Sequence, residues 1–432
     1  MTQGEQRRMT LGVIADDFTG ATDVASMLVR AGMRTVQVIG VPNGPAPQAD
    51  AVVVALKTRT VPAADAVRES LAALRWLQAA GMRQCYFKYC STFDSTPDGN
   101  IGPVTGALMD ALNADLAIAC PAFPENGRTI FRGHLFVGDE LLSDSGMRRH
   151  PLTPMTDANL VRVLQAQTTR RVGLLRYDTI AQGVDAVRDR IDALRHDGVS
   201  IAIADATSND DLRTLAAACA ELPLLTAGSG LALGLPAIYA ERGWLTPDAH
   251  AAELDPVQGG RAVLSGSCSL ATNAQVQRWR EAGRPAFAID PRALARGEPV
   301  ATDAIAWANS QARDAVPLVY ASADAQQLQA VQAELGAMQA GALVEACLAQ
   351  IARGLVDNGV RRLVVAGGET SGAVVQALGV TQLRIGAAIC PGVPWTQADH
   401  SRAGTRLHLA LKSGNFGGPD FFIEALRADT TP

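Results

Sequence analysis

The chain has 432 residues, room for two or three domains, and is 48% hydrophobic and 19% charged, a globular rather than a disordered balance. A net charge of −5 argues against a general nucleic-acid binder, and aromatics at 5% are too few for a base-stacking platform, although a local basic pocket for an anionic metabolite stays open. Seven cysteines, never spaced C-x-x-C, read as reduced thiols, and six histidines form no H-x-x-x-H or similar set, so no zinc site is expected.

The polar start MTQGEQRRMT carries no secretory h-region, and no apolar run approaches the roughly 20 residues of a membrane span, so a cytoplasmic protein is expected. Short apolar runs then alternate with helical patterns: LGVIA, TVQVIG, AVVVAL, CYFKY, LAIACPAF, RVGLLR, SIAIADA and LPLLTAG read as strands. Near-continuous apolar strands separated by helices indicate a parallel sheet covered on both faces. AADAVRESLAALRWLQAAG shows the helical period, with Gly81 placed to stop it. Prolines and a Gly-Gly pair mark 244–259 as a linker. The alternation resumes with RAVLSGSCS, AFAID, VPLVYAS, RRLVVAGGETSG, GAAIC and RLHLALKSGNFGG. The fold class expected is α/β, with two largely parallel domains, 9–243 and 260–432, and a ligand cleft between them.

Ligands of open parallel sheets bind outside the carboxyl ends of the strands, so the residues after each strand matter most. In LGVIADDFTGATD, Asp16 and Asp17 stand side by side where a buried strand stops. Such like charges cost energy unless a cation, hydrogen bonds, water or a ligand offset them. One of them could simply cap the following helix. Other strand ends supply Lys57 and Arg59, Lys88, the turn Asp94, Ser95 and Thr96 with Asp98, Gly99 and Asn100 beyond it, and Glu125, Asn126, Arg128 and His134. Arg and Lys suit a carboxylate, Asp, Ser and Asn suit hydroxyls, and the mixture fits a small polyhydroxy anion. Lone basic residues are more often solvated, and STPDG could be only a turn. Lys88, however, lies in an apolar run where an idle charge is costly.

The second half is rich in Gly, Ser and Thr at its strand ends: Ser265, Gly266, Ser267 and Ser269; Gly367, Gly368, Glu369, Thr370, Ser371 and Gly372; Lys412, Ser413, Gly414, Asn415, Gly417 and Gly418. Such turns bring backbone N–H groups up to an anion at a helix N-terminus. One could exist for tightness alone; three in one domain favour phosphate. There is no G-x-x-x-x-G-K-S/T and no full G-x-G-x-x-G fingerprint, and TAGSGLALG is a near miss.

Taken in order, ADDFTGATD, TAGSGLA, LSGSCS, GGETSG and LKSGNFG resemble the four-carbon acid sugar kinase family over nearly the whole chain. The resemblance implies an ATP-dependent kinase with an N-terminal sugar-acid domain and a C-terminal nucleotide domain. KYCSTFDSTPDGNIGPV and CPAFPENGRTIFRGHLFVGD are similar to the branch acting on 3-oxo-tetronates (3-dehydro-erythronates), phosphorylated on the C4 hydroxyl. Asp98 stands where threonate and erythronate kinases tend to carry an arginine, and those activities remain the alternative within the family.

Carried over residue by residue, the resemblance implies ATP contacts at Ser265, Gly367, Gly368, Glu369, Thr370 and Gly414. It implies acid-sugar contacts at Asp16 or Asp17, Arg59, Asp94, Ser95 and Thr96. Arg59 or Lys88 is expected to hold the carboxylate. Asp17, with Asp16 second, is expected to orient the C4 hydroxyl and accept its proton, with Mg²⁺ on the phosphates and no protein ligand set assigned to the metal. No nucleic-acid or membrane partner is expected; a homodimer is left open. A metal-dependent sugar phosphatase and a non-catalytic acid-sugar-binding protein are the rival classes.

Overall fold

The computed structural model describes residues 9–150, 152–312, 314–323, 325–400 and 405–427. The chain divides into two units, Met1–Ala252 and Glu253–Pro432.

In chain order the strands of the first unit are Leu11–Ala15 (β1), Thr35–Ile39 (β2), Ala51–Ala55 (β3), Gln84–Lys88 (β4), Ala117–Cys120 (β5), Arg128–Phe131 (β6), His134–Val137 (β7), Glu140–Leu141 (β8), Val172–Leu175 (β9), Ile201–Ala204 (β10) and Leu224–Ala227 (β11). Eight of them run parallel in the order β2–β3–β1–β4–β11–β5–β10–β9. Every residue of β1, β3, β4, β5, β10 and β11 is buried, as a parallel sheet with both faces covered requires. β6, β7 and β8 form a separate antiparallel meander. The register matters for the site: Ala15 pairs with Ala55 on one side and with Lys88 on the other, so β1, β3 and β4 end at one level. The helix Ala63–Ala79 stops just before Gly81, whose φ of +79° is open to glycine at little cost.

The strands of the second unit are Gly260–Ser265 (β12), Ala286–Ala288 (β13), Leu318–Tyr320 (β14), Val360–Ala366 (β15), Gln382–Cys390 (β16), Val393–His400 (β17) and Thr405–Lys412 (β18). Their order is β13–β14–β12–β15–β18–β17–β16. The first five are parallel, and β17 is antiparallel to both neighbours. Trp279, Trp395, Phe421 and Phe422 anchor this unit's core. The α/β class expected from the sequence holds in both units.

Residues 244–259 form neither helix nor strand. The carbonyl of Trp244 accepts from Thr10 Oγ1 at 3.0 Å, and its ring lies 4.0 Å from the Arg83 guanidinium. Leu254 belongs to the core of the second unit. Among the described residues no single helix is long and apolar enough to cross a membrane. All seven cysteines are free, and burial raises the pKa of every thiol.

Candidate active site

At the shared end of β1, β3 and β4 the backbone itself brings the charged residues together. The Asp16 carbonyl accepts from the amides of Thr58 (2.9 Å) and Arg59 (3.2 Å), and the Asp16 amide donates to the Lys88 carbonyl (3.0 Å). Arg59 Nε donates to Asp16 Oδ2 at 2.9 Å, and Nη2 donates to Asp16 Oδ1 at 2.8 Å and to Asp17 Oδ1 at 2.7 Å. Its Nη1 stands 3.8 Å from Asp94 Oδ2, beyond hydrogen-bonding range. Asp17 is also the N-cap of the helix Phe18–Arg30: Oδ1 accepts from the Gly20 amide and Oδ2 from Thr19 Oγ1, both at 3.0 Å. The capping reading and the site reading thus describe one residue.

The adjacent carboxylates have different environments. Asp16 is deeply buried, its side chain 8% exposed. Burial outweighs the attraction of Arg59 and raises its pKa above the ordinary 3.8. Asp17 is 25% exposed. Burial pushes its pKa up, but Arg59, Lys88, the Thr19 hydroxyl and the Gly20 amide together outweigh it and bring the value below 3.8. Lys88 is buried, its Nζ donating to the Tyr89 carbonyl at 2.7 Å. A Cβ on Gly20 would lie 3.1 Å from that Nζ, which places Lys88 beneath the start of the helix. Asp23, also buried and raised by desolvation, accepts from Ser229 Oγ at 2.5 Å, so the TAGSG turn packs directly on ADDFTGATD.

The turn after β4 is strained where it meets this cluster. Phe93 and Asp94 have φ values of +64° and +31°, a region L-residues adopt at a cost. Asp94 Oδ1 accepts from Thr92 Oγ1 at 2.6 Å. Ser95 and Thr96 are held from elsewhere: Gln167 Nε2 donates to Ser95 Oγ (2.8 Å) and to the Thr96 carbonyl (2.7 Å). Asn100 Nδ2 donates to the carbonyls of Thr58 (2.6 Å) and Val61 (2.9 Å), clamping the loop that carries Arg59. Asp98 is exposed. Glu125 is tied to Arg30 and Asn209, and His134 to the Arg132 carbonyl.

In the second unit, β12, β15 and β18 are neighbours and each ends in one of the Gly/Ser/Thr turns. Ser265 is buried, its Oγ 2.8 Å from Ser322 Oγ. Gly367 has a φ of +125°, and a Cβ there would stand 2.9 Å from Thr370 Oγ1; a Cβ on Gly266 would stand 2.3 Å from the same atom. The Gly414 carbonyl accepts from Ser269 Oγ at 2.6 Å, and the Gly367 amide donates to the Lys412 carbonyl at 2.8 Å. The helices Leu270–Glu281 and Gly368–Ala377 begin at the first two turns. Beside them opens a cavity of about 1230 Å³ lined by Gly266, Ser267 and Gly367 to Thr370, with Asn273, Arg280 and Tyr320 farther along its wall. That volume is ample for a nucleotide.

Two family models match in series: a sugar-binding N-terminal domain over 11–235 and a nucleotide-binding C-terminal domain over 262–422. The chain is 64% identical to a 3-oxo-tetronate kinase of Pseudomonas fluorescens over 97% of both chains, and 62% identical to one of Cupriavidus necator over 99% of both. The chain belongs to the 3-oxo-tetronate kinase family, among the four-carbon acid sugar kinases. A crystal structure from Salmonella typhimurium LT2 superposes with a TM-score of 0.86 at 46% identity, covering 97% of this chain and 99% of that one. One from Haemophilus influenzae superposes with a TM-score of 0.77 at 45% identity, covering 96% and 98%.

Against this family background, the structure gathers Asp16, Asp17, Arg59, Lys88 and Asp94 into one cluster, while Ser95 and Thr96 bond to Gln167. Gly367, Gly368, Glu369 and Thr370 line the cavity, with Ser265 behind it and Gly414 packed on the Ser269 turn. Sequence reasoning missed Asp23, Gln167, Asn273 and Gln275 as contributors. The near-miss motif around Ser229 was the one available signal for Asp23; the amides had none.

Proposed function

We propose that this chain is an ATP-dependent kinase that phosphorylates the C4 hydroxyl of a 3-oxo-tetronate, with the acid sugar held by the first unit and the nucleotide by the second. The observation that carries this reading is the full-length likeness to 3-oxo-tetronate kinases, and the geometry supports it. Transfer of a phosphoryl group passes through a loose transition state, so the protein's work is positioning and charge neutralisation. Arg59 Nη1 has no hydrogen-bond partner among the described residues and is the donor offered to the substrate carboxylate. Lys88 supports the cluster from beneath. Among the described residues Asp17 Oδ2 accepts from Thr19 alone, which leaves a lone pair for the C4 hydroxyl, and its exposure makes it reachable. Asp17 therefore orients that hydroxyl and takes its proton, with the more basic Asp16 as second choice.

Mg²⁺ belongs to the proposal. Among the described residues no group of three or more His, Cys, Asp or Glu is placed to hold a metal. This fits an ion that keeps several waters and uses phosphate oxygens with one or two carboxylates. One or two of the carboxylates on the cavity wall, Glu281, Asp290, Glu345 and Glu369, would hold it, and it would neutralise phosphate charge. The need for ATP points to the cytoplasm as the place of action.

The test is an ATP-consumption assay with Mg²⁺ on D- and L-3-oxo-tetronate, D-threonate and D- and L-erythronate. Turnover confined to the 3-oxo acids is expected. Turnover of threonate or erythronate instead would move the substrate assignment within the family. Phosphate release from sugar phosphates without ATP would replace the kinase by a phosphatase.

A further inference from the structure

We infer that Lys412 and Gln275 are positioning residues that turn the loop after β18 inside out, so that its backbone amides form a cradle for the nucleotide phosphates. The inference rests on the reading of Gly414 as part of the nucleotide site.

Lys412 ends β18 and is fully buried. Its ammonium does not point outward. Nζ donates to the carbonyls of Ser413 (3.0 Å), Gly414 (2.9 Å) and Phe416 (3.0 Å) and to Thr272 Oγ1 (3.1 Å). Gln275, on the helix Leu270–Glu281 and 1% exposed, continues the pattern. Its Nε2 donates to the carbonyls of Phe416 (3.1 Å), Gly417 (3.0 Å) and Gly418 (3.0 Å). Two buried side chains thus collect five of the six carbonyls between Ser413 and Gly418 on the inner side of one short loop.

The trans peptide plane supplies the consequence. In it the N–H of each residue points opposite to the preceding C=O. Inward carbonyls at 413, 414, 416 and 417 therefore send the amides of Gly414, Asn415, Gly417 and Gly418 outward. None of these four amides has an acceptor among the described residues. Only Phe416, whose preceding carbonyl is not collected, turns its amide back, to Ser413 O at 3.3 Å. Successive outward N–H groups over a buried positive charge make an anion-binding concavity. The loop is also set against the cavity wall: a Cβ on Gly414 would stand 2.5 Å from Ser267 Oγ, and Ser267 lines the cavity. The lysine of this motif thus acts through the backbone it folds rather than by touching phosphate.

The experiment measures binding of inorganic tripolyphosphate and of ATP to the full chain by calorimetry, with KM for ATP and for the acid sugar and kcat alongside. Gln275→Leu removes no charge and keeps the side chain's bulk. It is expected to weaken both probes roughly tenfold or more, the equivalent of one to two lost backbone orientations, while KM for the acid sugar stays put. Lys412→Met is expected to do the same more severely; if it fails to fold, Gln275→Leu decides the matter alone. A folded Gln275→Leu that binds tripolyphosphate like the wild type overturns the inference. Wild-type chain that binds neither probe overturns the nucleotide reading itself, and the inference with it.

Discussion

Arg59 grips Asp16 through both arms of a fork, Nε to Oδ2 at 2.9 Å and Nη2 to Oδ1 at 2.8 Å. A lysine can supply the charge but not the planar pair of donors, so Arg59→Lys is not a conservative change here. Loss of kcat/KM on the order of 10²-fold is expected, since a displacement of about 1 Å can cost that much. Arg59→Ala should in addition lower the melting temperature, because it leaves two crowded carboxylates with only Lys88 to offset them. Near-normal kinetics of Arg59→Lys would remove Arg59 from the role of carboxylate anchor.

Asp17 serves as both helix cap and proposed proton acceptor, and asparagine separates the two duties. It caps about as well as aspartate, so Asp17→Asn should keep the helix start and lose only the part of the stability that its ion pair with Arg59 supplies. It cannot take a proton, so kcat should fall by about 10²–10⁴-fold. Thermal melts and steady-state kinetics on Asp17→Asn and Asp16→Asn check this. If both variants keep near-normal kcat, neither aspartate is the base.

Gly367→Ala places a Cβ 2.9 Å from Thr370 Oγ1 at a φ of +125°. The backbone strain alone is worth about 1–3 kcal/mol. The expected outcome is a lower melting temperature and a raised KM for ATP, with KM for the acid sugar unchanged. A rise in both KM values would show that the turn does not act on the nucleotide alone.

His408 gives the second unit an acid sensitivity. Nε2 donates to the Asp255 carbonyl at 2.9 Å, and Nδ1 is buried with no partner among the described residues. Burial lowers its pKa below the ordinary 6.5. The unfolded chain then binds a proton that the folded chain refuses in the window between the two values. The stabilising contribution is complete above pH 6.5 and is lost as pH falls through the lowered pKa, with a slope of up to about 1.4 kcal/mol per pH unit. Denaturant titrations between pH 7 and pH 5 should show this loss, and His408→Gln should flatten it. An unchanged slope in the variant would assign the loss to other groups.

The strands of the two parallel blocks were legible because each must be apolar on both faces, and a run such as AVVVA has no other use. β17 was not: VPWTQADH mixes proline with polar residues, and its hydroxyl at Thr396 is satisfied by Leu409 O across the sheet. The β6–β8 meander was not read either. Its turn depends on Arg132 and Gly133 at positive φ, and GRTIFRGH read instead as polar residues trailing a strand. At the site, the charged residues following β1, β3 and β4 could be collected in advance because parallel strands deliver their carboxyl ends to one edge. Gln167, just past the helix Leu160–Gln165, and Gln275, within Leu270–Glu281, could not, since a single amide carries no spacing, and its meaning lies in carbonyls that only the fold brings near.

Four of the seven thiols, those of Cys85, Cys120, Cys219 and Cys347, are buried, and this has a consequence for the cell's chemistry. Oxidants and alkylating agents attack thiolates, and burial keeps these groups protonated, Cys85, Cys120 and Cys219 with pKa values of about 12. No step of the proposed reaction passes through sulfur. Peroxide that silences enzymes with a nucleophilic cysteine would find no thiolate at these buried positions, and Cys268, partly buried on the cavity wall, is the thiol it would have to reach to slow this one.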